Sequence, residues 1–383
     1  LVRALAPPGR PFLLVLDNLH HADDASLRLV ARLLQPAEVP GLLVLACLRD
    51  DLPQPPALTR LLADLTAADR PALVLPLAPL SPADTRALVA AALTWPSGQA
   101  EALAEFLHAR ADGNPLFTRA LLRWLHEQQL LRLDLEAGAW RWDAERSAAA
   151  SPGDDVGALL AGKLGELGPP ARAALELAAC LGARFSARRI AAVLEDSPQD
   201  TAAALAEAQA RGLIQPVAGD GDGEPLLEFA HDRVRQAAYD LADRPRQRAL
   251  HLRLGRSMLA DDPARGEGDA LFAITAHLNH AAETSDGPPL LHDPHERLRL
   301  AELNLAAARR ALQATAFASA ALYCRHGCEL LPAEVWTRHY ELGFRLHCLR
   351  MQCEHLAGDI PAALAQFEPL LRHARDDHDR AEI

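Results

Sequence analysis

Apolar and polar positions follow two rhythms along this chain, and the change falls near residue 80. Before it, short unbroken apolar runs alternate with helical spacings. The run FLLVL (12–16) stops at Asp17, a polar turn follows, and DASLRLVARLLQ has the spacing of a helix over 25–35 capped by Asp23 or Asp24. GLLVLACLRDD is a second run, LTRLLADLTAAD a short helix and ALVLPLAPL a third run. Continuous apolar strands separated by helices predict a parallel sheet covered on both faces. From 79 to 130 the pattern is helical. SPADTRALVAAAL opens with Ser81 as N-cap and Pro82 at the first helical position, and GQAEALAEFLHARADG and NPLFTRALLRWLHEQQLL follow.

Beyond 130 the rhythm changes again. LRLDLEAGAWRWD alternates around Gly138, as a hairpin does. Helices are expected at 156–168, 170–181, 186–195 and 199–211, then a strand, a Gly/Asp-rich turn and a strand (LLEFA). Three helices closed by a hairpin are the outline of a winged helix. From 245 onward the spacing is helical throughout and rich in small residues, which suggests a helical-repeat solenoid. The fold class expected is α/β turning to mostly α. The regions are 1–78, 79–130, 131–244 and 245–383.

Composition narrows the classes. With 39 Lys and Arg against 51 Asp and Glu, the net charge of −12 argues against general nucleic-acid binding. No apolar run reaches the length of a membrane span, and no signal peptide is expected. The six cysteines lack zinc-finger or secreted-domain spacing, so reduced thiols and a cytoplasmic setting are expected. The chain opens on Leu1 and closes on HARDDHDRAEI, and is expected to be an internal piece of a longer protein.

A carboxylate at the C-terminal tip of a buried strand, as at Asp17, is a common holder of magnesium beside a phosphate. Such a site needs a phosphate-binding loop, G-x-x-x-x-G-K-[ST]. Lys163 is the sole lysine, and its setting, GALLAGKL, puts Leu164 where the hydroxyl belongs. No strand precedes it, and Val156, Leu159, Leu160, Leu164 and Leu167 mark an ordinary amphipathic helix with Asp154 or Asp155 as cap. The loop is expected before residue 1.

The ordered set FLLVLDNLHHADDASLRLV, LLVLACLRDDL, ARADGNPLFTRALLRWL, LEFAHDRVRQAAYDL and LRLAELNLAAARRALQATAFASAALYCRHGCELL resembles the signal-transduction ATPases with numerous domains, relatives of the AAA+ group. The first stretch resembles their Walker B strand, the second their sensor strand, the third the G-x-P motif of the helical lid, the fourth the end of the winged-helix domain. The last resembles the tetratricopeptide-like solenoid of very large bacterial proteins. The resemblance implies ATP or ADP with magnesium as cofactors. Its implied partners are other domains of the same polypeptide, such as a Ser/Thr kinase or a histidine kinase, and proteins met through the repeats. The whole would be an ATP-binding switch module.

Each site residue has a structural reading beside the functional one. Asp17 would hold magnesium through water, or simply end a strand. Asn18 stands where the family usually has a second acid; an amide orients water without taking its proton, so binding is implied and hydrolysis left open. His20, His21, Asp23 and Asp24 read as loop and cap residues. Arg49 would sense the γ-phosphate or pair with Asp50 or Asp51. Gly113, Asn114 and Pro115 would end one helix and start the next, and the resemblance adds contact with the adenine end of the nucleotide. His231 would pack at a strand end with Asp232 capping the next helix; in related switch proteins a histidine near here reaches the β-phosphate. Cys324 and Cys328, one turn apart, read as helix-packing residues. Three other identities stay open: an ATP-binding LuxR-type transcription activator, a degenerate interaction scaffold, and an ATPase-coupled nucleotide cyclase.

Overall fold

The structure, a computed structural model, describes residues 11–22, 24–34, 41–49, 54–67, 73–95, 100–135, 138–149, 162–217, 225–261, 270–284 and 287–383. The described residues are mostly helical and form three small sheets. Contacts divide it into two compact units, Leu1–Val74 with His251–Ile383, and Leu75–Leu250.

In the first unit, β1 (Phe12–Leu16) and β2 (Leu42–Ala46) pair in parallel, Phe12 opposite Leu42 and Leu16 opposite Ala46. Helices α1 (Asp24–Leu33) and α2 (Pro56–Ala67) form a core of Leu19, Leu27, Val30, Leu58 and Leu61, with Leu16 packed against it. Each fully buried leucine contributes about 1.5–3 kcal/mol. Two expectations fail here. The sheet is not covered on both faces: Leu13, Val15, Leu43 and Leu45 are exposed. The third apolar run is not a strand: 73–80 has no strand pairing, and Leu73, Val74, Leu75 and Leu77 are exposed. Pro76 and Pro79 each remove a ladder donor from that run.

The same unit holds the helical region: α11 (Arg244–Asp261, from His251 on), α12 (Leu271–Ala282), α13 (Pro294–Gln313), α14 (Phe317–Leu330), α15 (Val335–Arg338), α16 (Tyr340–Ala357), α17 (Ile360–His373) and α18 (Asp377–Glu382). Successive long helices pack as neighbours, α13 on α14, α14 on α16, α16 on α17. Small side chains permit this: Ala307, Ala308, Ala311, Ala320 and Ala321 are buried at the crossings. One polar pair sits in that core. Asn279 of α12 and Asn304 of α13 exchange two amide hydrogen bonds, 2.9 and 2.8 Å, and Asn304 also donates to the Leu300 carbonyl at 2.9 Å.

The second unit begins with α3 (Pro82–Leu93). Ser81 accepts from the Asp84 amide at 3.1 Å while the Asp84 carboxylate accepts from Ser81, a reciprocal cap that holds the Asp84 pKa below its ordinary value. Helix α4 (Glu101–Ala111) and α5 (Pro115–Glu127) follow, then the antiparallel hairpin β3 (Leu131–Asp134) and β4 (Ala139–Trp142), expected around Gly138. Trp142 sets its ring edge-on to Phe106 of α4 at 5.4 Å. After α6 (Ala144–Ala149), residues 162–165 are helical; the start of the expected 156–168 helix, with Asp154 and Asp155, lies outside the described residues. Three helices follow, α7 (Pro169–Leu181), α8 (Ala187–Leu194) and α9 (Pro198–Ala210), each within two residues of its expected bounds. A three-stranded antiparallel sheet closes them in the order β5 (Arg184–Ser186), β7 (Leu226–Phe229), β6 (Ile214–Val217). Helix α10 (Asp232–Asp240) then packs on α7.

Candidate functional site

The sequence-singled residues form two groups, one in each unit. The first lies at the C-terminal tips of the parallel strands. The Cys47 amide donates to Leu16 and the Leu19 amide to Cys47, both at 2.8 Å, so the connections leaving β1 and β2 stay clasped beyond the sheet. Asp17 is exposed at this tip, and its Oδ1 accepts from the Asn18 amide at 2.9 Å. Asn18 is left-handed (φ 54, ψ 43), a conformation that Asn and Asp adopt more readily than other side chains.

Leu19 and His20 are buried below this turn. The Arg49 amide donates to His20 Nδ1 at 3.3 Å, and the Arg49 carbonyl accepts from Gln54. The strand tips therefore bring Asp17, Asn18 and Arg49 onto adjoining connections. His20, read from sequence as a loop residue, is the bridge between them. The only signal for it was its place three residues past the strand-ending acid. Asp24 is the first residue of α1 rather than its cap, and Asp23, Asp50 and Asp51 lie outside the described residues.

The second group stands at two helix starts. Helix α4 ends at Asp112 (φ 46), and Gly113 (φ 68) continues the left-handed turn. A Cβ on Gly113 would lie 2.4 Å from the Leu80 carbonyl oxygen and 2.9 Å from Pro79 Cβ, so backbone crowding as well as φ demands glycine. The Gly113 carbonyl in turn accepts from the Leu80 amide at 2.8 Å. Asn114 caps α5, accepting from the Leu116 and Phe117 amides at 3.0 and 3.4 Å, and Pro115 takes the first helical position. His231 caps α10: its Nδ1 accepts from the Arg233 amide at 3.1 Å. This corrects the expected cap. Asp232 is already helical and pairs with Arg235 at 2.8 Å, because the imidazole, one residue earlier, reaches the free amide first.

With Nδ1 accepting, a neutral His231 carries its proton on Nε2. The Arg233 guanidinium lies 5.1 Å from the Phe117 ring centroid, which brings the His231 turn beside the helix begun by Asn114 and Pro115.

Lys163 is helical and pairs with Glu127 at 3.1 Å. Cys324 is fully buried; its hydrogen bond with Cys353, then burial, push its thiol above the ordinary range, and all six cysteines are free thiols. Among the described residues no group of three His, Cys, Asp or Glu side chains is placed to hold a metal ion, and no helix is long and apolar enough to cross a membrane. A water-mediated magnesium contact from a single exposed carboxylate, as at Asp17, is of a different kind and fits the donor set at the strand tip.

No family model matches the chain. It is 24% identical over 337 residues to the hybrid signal transduction histidine kinase G of Dictyostelium discoideum; the alignment takes in 73% of this chain and 10% of that protein. The chain thus spans about a tenth of that relative's length. A solved structure from Pyrococcus horikoshii, a signal-transduction ATPase with numerous domains and a tetratricopeptide-repeat sensor, aligns with 94% of this chain and 49% of that one, at 12% identity and a TM-score of 0.42.

Proposed function

We propose that this chain is the nucleotide-reading and relay part of a signalling protein. The observation that carries the proposal is the clasp at the strand tips, which sets Asp17 and Asn18 beside the Arg49 connection. In this reading Asp17 holds magnesium through water, Asn18 orients the attacking water and Arg49 senses the γ-phosphate of ATP. Gly113, Asn114 and Pro115 meet the adenine end, and His231 donates from Nε2 to the β-phosphate of ADP. Residues 1–78 serve as part of a P-loop NTPase core, 79–130 as its lid, 131–244 as a hairpin with a winged helix, and 245–383 as a tetratricopeptide-like sensor. Helix–strand–helix–helix–hairpin order supports the winged-helix reading. Its partners are kinase or histidine-kinase domains of the same cytoplasmic polypeptide, and proteins bound through the repeats. Similarity to part of a signalling histidine kinase supports the setting.

No phosphate-binding loop motif occurs in the sequence, and that loop supplies most phosphate contacts in such sites. The chain alone is therefore expected to bind ATP weakly or not at all by calorimetry. Micromolar affinity would contradict that expectation and turn attention to Lys163 as a phosphate contact. A second reading, a scaffold using the fold for protein contacts alone, is favoured by the amide at Asn18.

The three-helix segment is expected to dock on protein rather than DNA. The acids of its turn, Asp220, Asp222 and Glu224, lie outside the described residues, and the expectation rests on their charge in the sequence. Salt-sensitive shifting of a DNA duplex by residues 150–240 would overturn it.

A further inference from the structure

Lys163 has no part in the site above, yet it is the chain's sole lysine and only 7% exposed. Its ammonium faces the Glu127 carboxylate at 3.1 Å, and Leu164 and Leu167 of the same segment are buried. Glu127 is the last residue of α5, the helix that begins at Pro115 directly after Gly113 and Asn114. We propose that the Glu127–Lys163 pair is a latch that holds the far end of this helix to the segment that follows it and is released from the Gly113–Pro115 end. The proposal rests on the reading of that turn as a nucleotide contact.

Helix α5 has 13 residues, so it spans about 20 Å. It touches the later part of its unit at three levels. Near its start, Phe117 lies under Arg233. Two turns on, the Arg123 guanidinium occupies the space over Gly212 (φ 66), where a Cβ would stand 1.5 Å from Nη1. At its end, Glu127 meets Lys163. Its apolar face, Phe117, Leu121, Leu122 and Leu125, is buried, so the helix moves as one piece or not at all.

The latch is two-state for an electrostatic reason. A buried ammonium is tolerated while a carboxylate faces it; drawn a few ångströms apart, it is left uncompensated and must come out to water. Intermediate separations are the costly ones. A displacement at the Gly113 turn, carried along α5, thus ends either in a closed pair or in a hydrated Lys163. The Glu127 side chain, 35% exposed, gives water its way in.

The composition supplies the experiment. Apart from the terminal amine, Lys163 is the only primary amine in the 383-residue chain. Its acylation by an amine-reactive ester at pH 7.5, followed by peptide mass spectrometry, reads the latch directly. Wild-type chain should react slowly at Lys163. Glu127→Gln should react at least tenfold faster with unchanged helical circular dichroism. Asn114→Ala, which frays the opposite end of α5, should also raise the rate several-fold, and Gly113→Ala more so. Equal rates in Glu127→Gln and wild type would overturn the latch. A fast Glu127→Gln with Asn114→Ala and Gly113→Ala both at the wild-type rate would make the pair a fixed strut and overturn release from the turn. If Gly113→Ala fails to fold, Asn114→Ala decides. No nucleotide is present, so these outcomes stand apart from whether the turn binds one.

Discussion

Asn18→Asp should raise single-turnover ATP hydrolysis by about 10²-fold in a polypeptide that joins these residues to a phosphate-binding loop. General-base catalysis is worth about 10²–10⁴-fold, and a water already oriented by the amide gives the low end. The backbone favours a clean test. Asn18 is left-handed, and Asp accepts that conformation nearly as well, so the substitution changes proton affinity more than geometry. Asp17→Ala should act differently, weakening magnesium-dependent nucleotide affinity. If Asn18→Asp leaves hydrolysis unchanged and Asp17→Ala leaves affinity unchanged, the strand tip is not a nucleotide site and the scaffold reading takes its place.

The second large effect is one of pH on the helical region. His251 of α11 and His277 of α12 hydrogen-bond through their Nδ1 atoms at 2.8 Å, and the His280 ring lies 4.2 Å from that of His251. Burial first, then His280 and His277, push the His251 pKa down to about 3; burial and His280 lower His277 as well. The Glu283 carboxylate, just past the end of α12, lies 3.6 Å from His280. A base whose folded pKa is lowered takes its proton first in the unfolded chain. Stability is therefore whole above the unfolded value near 6.5 and is lost as pH falls from there toward 3. For His251 alone the loss is about 2 kcal/mol by pH 5. Urea unfolding followed by circular dichroism should show a lower midpoint at pH 5 than at 7.5, and His251→Gln should flatten the difference. Equal wild-type midpoints would refute it.

How far the sequence foretold this structure depended on the range of the cause. Local causes were legible. Ser81, Pro82 and Asp84 form the reciprocal start of α3 within four residues, and Asn114 with Pro115 starts α5 the same way. Gly138 marked the hairpin turn. The run 73–80 misled because apolar content suggests a strand, whereas pairing needs a neighbour and backbone amides that Pro76 and Pro79 lack. The alternation of β1 and β2 between half-buried and exposed was likewise hidden inside unbroken apolar runs. The site was half legible. Asp17, Asn18 and Arg49 were readable as strand-end residues, but the link through His20 spans 29 positions. Glu127 and Lys163, 36 apart, had no shared pattern to connect them. The cap at His231 turned on which of two adjacent side chains reaches an amide, a matter of rotamer that spacing does not encode.

The Asn279–Asn304 exchange has a consequence for how the helical stack can move. Each amide is both donor and acceptor to the other, so the pair is satisfied in a single axial setting. Sliding α12 along α13 by one residue, about 1.5 Å, would break both bonds and strand buried polar groups at about 1–3 kcal/mol each. Purely apolar contacts offer no such stop, since leucine slides past alanine at little cost. The stack is therefore pinned against gliding at this crossing and left free to tilt there, which makes it a lever with a fixed fulcrum rather than a telescoping rod.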